Sequence, residues 1–149
     1  MNDDLRDLYQ EFILDHGRHP RNKHALEHGN RAAEGYNPLC GDRLTLQLEV
    51  RDGVVVDAAF QGSGCAISTA AASTMTEAVK GKTVDEVHKL FHDFHAMVTG
   101  AAPVDEEAMG SLAVFGGVSE FPMRVKCATL AWHTLQNALE DTHTTATTE

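Results

Sequence analysis

The sequence predicts an α+β fold, a small antiparallel sheet with helices packed on one side. Three observations predict it. An apolar stripe at helical spacing opens the chain, a period-two alternation takes over at Arg43, and stretches of helical character follow that alternating region. At 149 residues and 16.2 kDa the chain fits one domain and can bury enough surface to fold without disulfide staples.

Residues 3–16 read as an amphipathic helix. Leu5, Leu8, Phe12 and Ile13 form its stripe, and Asp3, Asp4 and Asp7 supply an acidic first turn. Gly17 is a helix stop, with Pro20 just beyond. Residues 17–37 are rich in His, Arg, Asn and Gly, and read as a long, partly irregular connection with room for a short strand. Then Leu44, Leu46, Leu48 and Val50 point one way, and Thr45, Gln47 and Glu49 the other. Asp52-Gly53 is a two-residue hairpin turn, and the return strand runs from Val54 to Gln61 with Val56, Ala58 and Phe60 on one face. Gly62-Ser63-Gly64 breaks that strand.

Cys65 to Lys80 reads as a helix of small residues, stopped by Gly81. Thr83 and Glu86 form a capping box for a helix over 84–97, with Val84, Val87, Phe91, Phe94 and Val98 near one face. Residues 99–121, interrupted by Gly100, Pro103, Gly110, Gly116 and Gly117, read as a loop with one short helix near 105–113. Pro122 opens a final helix over 122–140, where Leu130, Ala131, Thr134, Leu135 and Ala138 supply the buried face. The domain is taken as residues 1–140. The threonine-rich, apolar-poor stretch 141–149 reads as a disordered tail.

Charge and composition exclude several functions. The 12 basic and 22 acidic residues leave a formal net charge of −10, which argues against general affinity for nucleic acid or anionic membrane. No apolar run is long enough for a transmembrane helix, and the acidic Met1-Asn2-Asp3-Asp4 start is unlike a signal peptide, so a cytoplasmic location is expected. The 3 cysteines are an odd count, unlike a secreted disulfide framework.

Each cysteine falls at a joint. Cys40 precedes the first hairpin strand, Cys65 sits where a strand gives way to a helix, and Cys127 lies in the first turns of the last helix. Two of the three are thus near helix N-termini, which favour thiolate over thiol. Asp42 is two residues from Cys40, so in an extended segment both point to one side and can converge on one metal. Three thiolates and a carboxylate make the tetrahedral ligand number usual for zinc. Arg124 and Lys126 flank Cys127 and can offset the excess negative charge. The alternative is three unrelated buried cysteines, because the spacing matches no zinc finger and contains no Cys-x-x-Cys pair. Glycines beside Cys40 and Cys65 favour a site, where backbone must come close to a ligand.

Three segments carry a family resemblance: Asn37-Pro38-Leu39-Cys40-Gly41-Asp42, Gly62-Ser63-Gly64-Cys65-Ala66-Ile67-Ser68, and Arg124-Val125-Lys126-Cys127-Ala128-Thr129-Leu130-Ala131-Trp132. They resemble the cysteine motifs of the IscU/NifU-type iron–sulfur assembly proteins, over roughly residues 3–140. Lys126 stands where IscU scaffolds usually carry histidine, the stretch between the second and third cysteines is longer, and the Leu-Pro-Pro-Val-Lys chaperone motif is absent. In these features the chain is similar to the SufU branch. The resemblance implies a SufU/IscU-like α+β fold with a three-stranded antiparallel sheet, and a zinc ion held by Cys40, Asp42, Cys65 and Cys127. It implies a sulfurtransferase, not a stand-alone hydrolase or oxidoreductase, whose partners are a SufS-type cysteine desulfurase and the downstream Suf assembly machinery. In that family a histidine of the desulfurase takes a zinc position and releases the first cysteine, here Cys40, to accept persulfide sulfur. Arg124 then either pairs with Asp42 or steadies the released thiolate. The second reading is a scaffold assembling a [2Fe–2S] cluster on the same ligands, and the third is a zinc-stabilised interaction domain. A monomer is the expected state.

Other clusters carry blander expectations. His88, His92 and His95 can share one helical face and present themselves to a second metal, but no fourth ligand is evident and they read as a solvated face opposite Phe91 and Phe94. His16, His19, His24 and His28 read as surface residues of a loop, and His133 as a packed or surface histidine. Ser68, Thr69, Ser73 and Thr74 read as helix-packing residues, since no Gly-x-Ser-x-Gly elbow exists.

Overall fold

A computed structural model describes residues 3–38, 41–140 and 146–147, with side chains described for 10–38 and 41–140. Helix α1 (Asp3–Arg18) leads through an irregular connection into β1 (Arg31–Asn37), β2 (Asp42–Arg51) and β3 (Val54–Ser63). Four helices follow: α2 (Ala66–Val79), α3 (Val84–Val98), the single-turn α4 (Glu106–Met109) and α5 (Pro122–Glu140), with a 3₁₀-helical segment, Gly110–Glu120, between the last two. Strands β1, β2 and β3 form an antiparallel meander. Ala146–Thr147 (β4) adds a short parallel edge beside Gly35 and Tyr36, giving the order β3-β2-β1-β4.

The alternation read in β2 places Leu44, Leu46 and Leu48 in the core, each contributing roughly 1.5–3 kcal/mol by its burial. Helix α5 lies over β1 and β2, and α2 lies over β3 while touching α1 and α5. That crowded position explains the small residues of α2. Ala70, Ala71 and Ser73 are fully buried, and Thr74 returns its hydroxyl proton to the Ala70 carbonyl oxygen (2.8 Å) instead of leaving it unpaired. The Thr83/Glu86 capping box is present in full at the start of α3. Phe94 of α3 stacks on the buried Trp132 of α5, ring centroids 4.7 Å apart.

Four local expectations change. Strand β3 runs on through Gly62 and Ser63, which pair with Leu44 and Arg43, so Gln61 is not its end. In β3, Val55 is buried and Val56 is 43% exposed, because a bulge at Glu49/Val50 shifts the register and turns Val56 outward. Residues 99–121 are not mainly loop. After α4 the 3₁₀ segment buries Leu112, Ala113, Val114, Phe115 and Val118 against α3 and α5, an apolar set that the surrounding glycines obscured. His16 is no surface loop residue. It closes α1 at 4% exposure, its Nδ1 2.7 Å from Ser73 Oγ. The Ser73 oxygen also accepts the Arg21 N–H (2.8 Å), and the two contacts together pin the connection after α1 onto α2. Burial holds the His16 pKa below its usual value.

Candidate metal centre

One end of the sheet gathers three of the four expected ligands. Asp42 is the first residue of β2 and is 1% exposed, since its partner across the ladder is Asn37, the last residue of β1. The two are the ends of a tight connection, in which the Gly41 N–H donates to the Asn37 carbonyl (2.8 Å) and Gly41 takes φ of 72°. Cys40 lies in that connection, outside the described residues.

Cys65 is the N-cap of α2. Its backbone N–H donates to Asp42 Oδ1 (2.9 Å) and its Sγ accepts the Ser68 N–H (3.4 Å), so strand end and helix start are tied at this joint. Gly64 allows that approach, because a Cβ there would stand 2.8 Å from Asp42 Oδ1. Cys127 is buried in the second turn of α5. The helix-terminus expectation therefore holds for Cys65 and weakens for Cys127, which lies beyond the first-turn N–H groups.

The ligand atoms of Asp42, Cys65 and Cys127 lie within 4.8 Å of one another. Cys65 Sγ stands 3.8 Å from Asp42 Oδ2. A tetrahedral zinc with ordinary bond lengths puts sulfur and oxygen ligands roughly 3.5 Å apart and two sulfurs roughly 3.8 Å apart. The triangle therefore matches such an ion with little rearrangement, and soft thiolates favour zinc over magnesium or calcium. The Cys65 thiol is brought down to about 6, chiefly by a hydrogen bond from Cys127 and also by the Ser68 and Ile67 N–H groups, while burial and the Asp42 carboxylate oppose the shift. The lowered pKa favours the thiolate, the ligating form, at Cys65.

Arg124 is exposed on the first turn of α5, with its guanidinium 4.6 Å from the centre of the Phe121 ring. That contact, and not a pairing with Asp42, is what the described residues show for it. Sequence reasoning missed one member of the site. Asn37 is fully buried and its Nδ2–H points to Cys127 Sγ at 3.9 Å, so it orients a ligand from behind. Its place as the first residue of the Cys40 motif was the available signal.

The histidines divide. His88, His92 and His95 lie on α3, with His92 exposed and the other two partly buried. His133 of α5 comes to the same face, its ring centroid 5.8 Å from that of His95. Burial, and secondarily His95, lower the His133 pKa.

Residues 8–128 match the model of the NifU-like N-terminal domain. The chain is 40% identical over 138 residues to the zinc-dependent sulfurtransferase SufU of Bacillus subtilis, covering 93% of each protein. It is 38% identical over 136 residues to the iron–sulfur cluster assembly scaffold protein IscU of Streptococcus pyogenes, covering 91% of this chain and 85% of that one. A crystal structure of a proposed SUF-system iron–sulfur cluster assembly scaffold protein from Fervidobacterium islandicum superposes with a TM-score of 0.82 at 36% identity, over 93% of this chain and 99% of that one.

Proposed function

Because the chain belongs to the NifU-like N-terminal domain family, we propose that it is a zinc-dependent sulfurtransferase, accepting persulfide sulfur from a SufS-type cysteine desulfurase for iron–sulfur cluster assembly. The observation that carries this reading is the convergence of Asp42, Cys65 and Cys127 within 4.8 Å, at the end of the sheet whose β1–β2 connection bears Cys40. Four ligands complete a tetrahedral set. Zinc, when bound, holds the thiols as thiolates without offering redox chemistry of its own.

The remaining chemistry belongs to the chain. A Cys40 thiolate attacks the outer sulfur of the partner's cysteine persulfide. The partner's S–S bond breaks, a new S–S bond forms on Cys40, and the donor cysteine leaves as a thiolate, so no net oxidation occurs. Gly41, beside Cys40 in sequence, takes a positive φ with no atom within 4 Å of where a Cβ would sit. Arg124, three residues ahead of Cys127, supplies positive charge toward a released thiolate. The Streptococcus relative's name supports a second reading, a scaffold holding a [2Fe–2S] cluster on the same four residues.

The test is turnover of a SufS-type desulfurase, with mass spectrometry of the acceptor. Wild type is expected to accelerate alanine production and to carry a persulfide on Cys40, and Cys40→Ala to do neither while remaining folded. Equal acceleration by Cys40→Ala overturns the sulfur-acceptor role.

A further inference from the structure

We propose that the chain carries a second metal site, for a borderline transition-metal dication, built from His95 of α3 and His133 of α5 with His92 as the third ligand. It shares no residue with the cysteine centre. The α3 face alone offers only histidines of one helix. The packing of α5 against α3 adds an imidazole from a second element, 38 residues further along the chain from His95.

The spacing of the ring centroids is close to that of two imidazoles on one ion. Each imidazole ligand places its ring centroid roughly 3.2 Å from the metal, so two at the tetrahedral angle stand roughly 5.2 Å apart. His95 and His133 stand 5.8 Å apart with their planes at 73°. Phe91 packs beside both rings, with centroid separations of 6.0 and 5.4 Å. Both open onto a surface cavity of about 530 Å³ that His92, Gln136 and Glu140 also line, so donors surround a space larger than an ion and its waters need. Glu140 accepts from Gln136 Nε2 (3.3 Å), which directs its carboxylate along the same helix face.

Among the described residues, the three histidines do not yet bring their nitrogens together as closely as Asp42, Cys65 and Cys127 bring their ligand atoms. Side chains must shift for all three to reach one ion, and the exposed His92 has the room to do so. The site is therefore weaker than the cysteine centre and fills second. Imidazole donors without a thiolate select nickel, copper or zinc over magnesium or calcium.

The test uses the intact, zinc-loaded protein without a histidine tag and Ni²⁺ as probe. Isothermal titration is expected to show Ni²⁺ uptake in wild type and in His24→Gln/His28→Gln, a control for exposed loop histidines. In His95→Gln/His133→Gln, affinity falls by at least ~10-fold with zinc content unchanged. Unchanged Ni²⁺ affinity in the double variant overturns the proposal. Should that variant fail to fold, proton NMR of wild type decides. Paramagnetic Ni²⁺ broadens the His95 and His133 ring signals first if the site exists, and broadens those of His24 and His28 first if it does not. Neither readout depends on sulfur transfer, so the proposal and the proposed activity can fail separately.

Discussion

Asn37 shows how a candidate ligand can be oriented by a residue packed behind it. Its amide holds Cys127 Sγ from within the core, and its backbone closes the connection that carries Cys40. Asn37→Ala is expected to leave the fold intact and to lower zinc affinity by about 10–100-fold, read by chelator competition. An unchanged affinity would remove Asn37 from the site. His16 makes a different prediction. Its pKa is lowered by burial, so the unfolded chain binds the proton more readily than the folded one. The stabilisation from the neutral ring is thus complete above the unfolded value of 6.5 and is lost as pH falls below it. Thermal melts between neutral and mildly acidic pH should show His16→Gln with a shallower loss of stability than wild type; parallel slopes would contradict this. The sequence displayed His16 only as one of several histidines near a glycine. Its burial comes from Ser73, 57 positions away, a contact that no local pattern encodes.

At the scale of elements, the joint between β3 and α2 does the positioning. Gly62, next to the last residue of β3, takes φ of 135°, Gly64 lets Asp42 come close, and Cys65 caps the helix. Gly64→Ala is expected to push the Asp42 carboxylate away and to reduce zinc affinity about tenfold or more, with helix content unchanged by circular dichroism. Wild-type affinity in that variant would mean the close approach has no functional weight. This joint was legible because its glycines and Cys65 mark it directly in sequence. Less legible were elements decided by distant partners. The bulge that turns Val56 outward depends on β2, and the 3₁₀ segment persists because Leu112, Phe115 and Val118 bury against α3 and α5 rather than by helical propensity. The pairing of His95 with His133 is of the same kind, a meeting of two helices that α3 alone does not announce.

Across the whole molecule, a three-stranded antiparallel meander and the helices packed on it bring residues 42, 65 and 127 to one end. Among the described residues no helix is long and apolar enough to cross a membrane. The division into a domain over 1–140 and a tail is proposed on composition, with Ala146–Thr147 of that tail pairing along β1. The cysteine motifs, the hairpin and the last helix could be read early, because each depends on residues adjacent in sequence. Their assembly into one centre depends on register, on α5 crossing the sheet, and on a connection between Asn37 and Asp42 whose ends coincide. The most direct measurement of the central claim is elemental analysis of freshly purified protein with an anaerobic optical spectrum. About one tightly held zinc per chain and no visible absorbance is the expected result. Iron with acid-labile sulfide and visible bands, or a folded chain without metal, would contradict it.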